Sequence, residues 1–121
     1  MRTRGGPLLA VPYPQEVNDI PAIVARRESA EAFARMILDD FEERLRQVQR
    51  DGLPQVMGIA LHPYIIGQPY RMRALRHALA AIAAERGRVW INTAGAVADH
   101  AAALPAGTVP GCPRATAGAV A

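Results

Sequence analysis

The chain has 121 residues, half of them hydrophobic, which suits one small globular domain rather than several. Its 14 basic residues are all arginines and face 11 acidic ones. The net charge of +3 is too modest, and too interleaved with Asp and Glu, for a nucleic-acid footprint. One cysteine, Cys112, excludes an internal disulfide framework and a cysteine-built zinc site. No apolar run is long enough to cross a bilayer, and after the basic opening Leu8 to Val11 is too short for a signal segment. The expected setting is the cytoplasm, with no membrane and no nucleic acid as partner.

In chain order, Leu8 to Tyr13 reads as a short strand, and a polar loop runs from Glu16 to Pro21. A helix follows from Ser29 to Arg50. Phe33, Ile37, Phe41, Leu45 and Val48 recur at helical spacing, Ser29 is a fitting N-cap, and Gly52 with Pro54 is a stop signal. The apolar run Gln55 to Leu61 reads as a strand buried on both faces. A second helix is expected from Arg71 to Glu85, with Met72, Leu75, Leu79 and Ile82 on its apolar side. Arg88 to Asn92 reads as a third strand and Thr93 to Leu104 as a third helix. From Pro105 the chain is Pro, Gly, Ala and Thr without periodicity, so 105–121 is expected to be a disordered tail behind an ordered 1–104.

Strands alternating with helices predict an α/β fold, β-α-β-α-β-α, with parallel strands and right-handed crossovers. Three strands make a poor free-standing parallel sheet, because both faces and both edges need cover. The expected cover is a further barrel half or a second copy of the chain.

Function is expected where polar residues follow apolar runs, since ligands in α/β folds bind beyond the carboxyl ends of strands. The segment Leu61-His62-Pro63-Tyr64-Ile65-Ile66-Gly67-Gln68-Pro69-Tyr70-Arg71 is the main case, and Glu16, Asn18 and Asp19 form the second. His62 is the chief catalytic candidate, because an imidazole can protonate a leaving nitrogen near neutral pH. A buried histidine satisfied by a backbone carbonyl is the competing reading. Asn18 and Asp19 also suit turn and capping chemistry, Arg71 also suits a solvated helix face, and Trp90 also suits a core.

Pro12-Tyr13-x-x-Glu16-Val17-Asn18-Asp19, then Leu61-His62-Pro63-Tyr64-x-x-Gly67-x-Pro69-x-Arg71, then Val89-Trp90 with Gly95-x-Val97-Ala98-Asp99-His100, resemble the C-terminal half of polysaccharide deacetylase family proteins. The likeness is strongest to the branch of allantoinase-type and cyclic-imide-hydrolysing enzymes. It implies a partial (β/α) barrel and a hydrolase of non-peptide C–N bonds, deacetylating N-acetyl sugars or opening a cyclic amide such as allantoin. It further implies His62 as general acid, with Glu16, Asn18, Asp19, Tyr64, Arg71 and Trp90 lining the substrate pocket.

The family's acidic motif near the start of the barrel and its paired metal-binding histidines are not in this sequence. His62, His77 and His100 form no HxxxH pair, and Asp39-Asp40 falls inside a helix. The resemblance therefore implies no metal or other cofactor held by this chain, and little activity for it alone. A small amide or N-acetyl substrate is expected if an N-terminal barrel half completes the site. Three readings are open for the chain alone: a truncated or decaying gene fragment, one half of a split barrel enzyme, and a non-catalytic binding or interaction module.

Overall fold

The structure is a computed structural model that describes the backbone of residues 2–3 and 6–7, and residues 9–105 and 107–109 in full. The expected tail lies outside the described residues except for 105 and 107–109, as does Cys112. The chain divides into two units. One is Pro12–Ile91, and the other joins the residues before 12 to those after 91.

Within the 12–91 unit the regular structure is helical. A single π-helical turn, Ile20–Ala25, is followed by α1 (Ala30–Asp51) and α2 (Pro69–Ala84). Ser29 caps α1 as its sequence requires, its side chain accepting from the Ala32 N–H at 3.1 Å. At the other end Gly52 adopts φ 68°, a left-handed conformation natural to glycine, and its N–H closes on the Val48 carbonyl at 2.9 Å. Pro69 opens α2, where its missing N–H costs nothing.

The two helices pack on each other. Ala30, Phe33, Ala34 and Ile37 form the buried stripe of α1, and Ala74, Leu75 and Ala78 that of α2. Val17, Ala22, Ile23, Ile65 and Ile66 complete the core, bringing the loops before α1 and α2 into it. The alanines on α2 leave room for the large Phe33 and Ile37 side chains opposite. Leu79, expected on the apolar side, is instead 39% exposed.

Arginines decorate the outside. Arg26, Arg35, Arg44, Arg46, Arg50 and Arg88 each pair with a carboxylate, most of them one helical turn away or less. Such exposed pairs add little stability.

The other unit contains α3 (Ala94–Ala103) and a pair of two-residue strands, β1 (Arg2–Thr3) and β2 (Gly6–Pro7), joined antiparallel. Thr93 caps α3, its hydroxyl accepting from the Ala96 N–H at 3.3 Å. None of the α3 side chains is buried. No helix among the described residues is long and apolar enough to cross a membrane.

The α/β expectation is overturned. Beyond the β1–β2 pair the described residues form no sheet and no barrel; the parallel strands expected at 55–61 and 88–92 are absent, as is the described part, 9–13, of the first, residue 8 lying outside the described residues. The reason lies in the backbone donors. Residues 12–14 run beside Gly58, close enough that a Cβ there would meet Pro14 at 3.1 Å and the Pro12 carbonyl at 3.3 Å. Pro12 and Pro14 carry no N–H, so no ladder can form along that stretch. Pairing starts only beyond the prolines, as one isolated parallel bridge between Asn18 and Ala60. The segment 88–92 has no sheet to join. It leaves α2 as a turn, with Arg88 and Val89 N–H groups returning to the Glu85 carbonyl, and it leaves Trp90 and Ile91 exposed.

Candidate functional site

The one bridge sets up the site. Ala60 donates its N–H to the Val17 carbonyl at 3.0 Å, and Asp19 donates its own to the Ala60 carbonyl at 3.2 Å. This pins residues 17–19 against 60, so Asp19 and His62, 43 positions apart, meet just past the crossing.

Asp19 is wholly buried, and His62 engages both of its carboxylate oxygens. The His62 backbone N–H donates to Oδ2 at 2.8 Å, and imidazole Nδ1 lies 2.6 Å from Oδ1. A carboxylate only accepts, so Nδ1 is the donor and Nε2 is left outside the pair. The His62 side chain is one-quarter exposed. A buried carboxylate has to be compensated, and two hydrogen bonds from one residue do this while fixing that residue's ring. Asp19 thus takes the orienting place in an Asp–His dyad.

Neighbouring residues hold the dyad's frame. Asn18 is buried, accepts from the Ile20 N–H at 3.0 Å, and donates from Nδ2 to the Pro14 carbonyl at 3.3 Å. It shapes the turn that delivers Asp19. On the other side the His62 carbonyl accepts from Ile65 at 2.9 Å and from Ile66 at 3.1 Å, curling the loop back under the imidazole. Gly67 closes the curl. A Cβ there would strike the Pro63 carbonyl oxygen, so this backbone approach admits only glycine.

Of the residues expected to line a pocket, Asp19, Asn18 and Tyr64 gather at His62. The Tyr64 and His62 rings meet in a T-shaped arrangement, with centroids 5.7 Å apart and planes at 68°. Arg71 sits behind the loop: its Nη1 donates to the Ile65 carbonyl at 2.8 Å, and its guanidinium lies 5.0 Å from the centre of the Tyr70 ring. Glu16 faces a separate groove along α1, beside Glu28, Arg35, Asp39 and Asp40. Trp90 lies beyond α2 and is 57% exposed. His77 is exposed on α2, and His100 lies in the last turn of α3.

A metal centre would require a ligand set here. Among the described residues no three His, Cys, Asp or Glu side chains come together as one. No step of the chemistry below passes through a metal.

The chain also carries a sequence likeness. Over 91 residues the chain is 36% identical to a Schizosaccharomyces pombe protein named "Putative polysaccharide deacetylase". The similarity to that protein is distant and partial. The match takes in 71% of this chain but 27% of that protein, so the chain spans about a quarter of its relative's length. No family model matches the chain, and no solved structure matches it.

Proposed function

We propose that the chain carries the acid side of a hydrolytic site for non-peptide C–N bonds, in N-acetyl sugars or cyclic amides, with His62 as the general acid. The observation that supports this most is the two-point clasp of His62 by buried Asp19. Water adds to the amide carbonyl carbon, and the C–N bond of the resulting tetrahedral intermediate breaks. His62 delivers the proton on Nε2 to the departing nitrogen, which leaves as an amine, and the carbonyl carbon ends as a carboxyl group. Asp19 keeps the ring oriented and stabilises the imidazolium before transfer, a positioning role.

The water's own proton needs another base, because both oxygens of Asp19 are engaged by His62. The chain is therefore expected to bind substrate with little turnover. That same observation favours a second reading, in which the chain is a non-catalytic binding module for such amides.

Hydroxylamine separates the two readings, since it attacks an amide carbonyl without an added base. Cleavage of N-acetylglucosamine oligomers or hydantoin by hydroxylamine, accelerated by the native chain and reduced about a hundredfold in His62→Gln, is the result expected of a general acid. Equal rates in the two proteins, with ligand-induced shifts of the His62 imidazole signals still present, leave the binding reading. No shift and no acceleration would contradict both.

A further inference from the structure

We infer that Arg71 is a positioning residue for His62, acting through the peptide that joins Ile65 to Ile66. The inference rests on His62 being the working residue of the site. It adds what holds that residue from the side away from Asp19.

His62 is held at three groups. Asp19 takes its backbone N–H and its Nδ1, and its carbonyl accepts from the Ile65 and Ile66 N–H groups. Asp19 is fixed by its burial, whereas the partners of the carbonyl lie on a loop. The Ile65 carbonyl and the Ile66 N–H belong to one planar peptide unit, so fixing one end fixes the other. The N–H end donates to the His62 carbonyl at 3.1 Å, and the carbonyl end accepts from Arg71 Nη1 at 2.8 Å. A charged donor on that carbonyl also polarises the peptide and strengthens the bond its N–H makes. Arg71 grips the far end of the unit whose near end holds His62.

The surroundings of Arg71 fit this task. It is the third residue of α2, whose first turn has no acidic residue and whose dipole opposes a cation there. Six arginines pair with carboxylates, but Arg71 forms no ion pair among the described residues. Two contacts offset that cost: the Ile65 carbonyl, and the Tyr70 ring with its centre 5.0 Å from the guanidinium. A planar guanidinium can lie over the ring and reach the carbonyl together, whereas a lysine ammonium is a point charge on a flexible stem. The guanidinium thus serves the chain's own backbone, not the ligand contact that the family resemblance implies for it.

The test compares the native full chain with Arg71→Met and Arg71→Lys. It records helical circular dichroism and the His62 imidazole ¹⁵N signals at a pH where the ring is neutral. Arg71→Met is expected to keep native helices while the His62 ring exchanges between tautomers. In the hydroxylamine reaction it is expected to lose about tenfold in kcat at unchanged KM. Arg71→Lys keeps a charged donor without the planar face and is expected to fall between the two. Native His62 signals in a folded Arg71→Met overturn the inference. So does a raised KM at native kcat, which would put Arg71 on the ligand. If Arg71→Met melts the helices, Arg71→Lys decides by the same signals, and melting of both variants overturns the inference because Arg71 then holds the scaffold. Absence of cleavage by the native chain removes the general-acid reading alone, since the tautomer shift needs no turnover.

Discussion

Two parts of the 12–91 unit are held together in opposite ways. The α1–α2 pair is local in sequence, hydrogen-bonded within itself, and sealed by Phe33 and Ile37 against alanines and Leu75. The crossing of 17–19 with 60–62 is non-local and has one backbone bridge. It is closed by a buried carboxylate gripping a histidine. Burial of apolar area stabilises the first, whereas directional polar bonds define the second. The helical pair is a scaffold, and the crossing is where the Asp19–His62 geometry is set.

Substitutions should separate the two parts. Phe33→Ala removes a wholly buried ring and is expected to destabilise the unit by about 3–5 kcal/mol in urea unfolding, with loss of helical signal and site together. Asp19→Asn is expected to cost about 2 kcal/mol, because a charge-assisted bond to the imidazole is lost inside the protein. Its helical circular dichroism should stay native while the His62 signals move toward those of a free histidine. If Asp19→Asn instead melts the helices, the crossing is part of the scaffold and the contrast fails. Gly67→Ala should cost about 1–3 kcal/mol as the new methyl forces the loop off Pro63, and it should disturb Tyr64 and His62 more than α1.

The smallest effect concerns charge. The Arg50 guanidinium holds the Asp51 carboxyl below the usual carboxylate range by hydrogen bonding, against a weaker opposing push from desolvation. The contribution of a carboxylate lowered in this way is present above about pH 4 and fades as pH falls through its folded value. Both groups are solvent-exposed, so Asp51→Asn should leave the urea midpoint at pH 7 unchanged within error and flatten only a slight acid-side slope.

The helices were legible because their signals are local. Apolar spacing marked α1 to within a residue, and Ser29 and Gly52 are its caps as expected. α2 begins two residues earlier than the apolar pattern indicated because Pro69 suits a first turn. The strands were misread for a physical reason. A run such as Val56-Met57-Gly58-Ile59 shows apolar character but not whether a donor-bearing neighbour exists, and the neighbour that approaches Gly58 carries prolines. Of the site, His62, Asp19, Asn18 and Tyr64 were each marked by position after an apolar run. Their pairing was not, since nothing in a single sequence links positions 19 and 62. Glu16, Arg71 and Trp90 shared the motif spacing but lie elsewhere: in the α1 groove, against the Ile65 carbonyl and beyond the end of α2.

The central claim is that Asp19 fixes the His62 ring so that Nε2 faces the ligand. The most direct measurement is the imidazole ¹⁵N spectrum of the chain at a pH where His62 is neutral. The account predicts the Nδ1–H tautomer, with a strongly deshielded proton that disappears in Asp19→Asn. The Nε2–H tautomer common in free histidine, unchanged by Asp19→Asn, would contradict it.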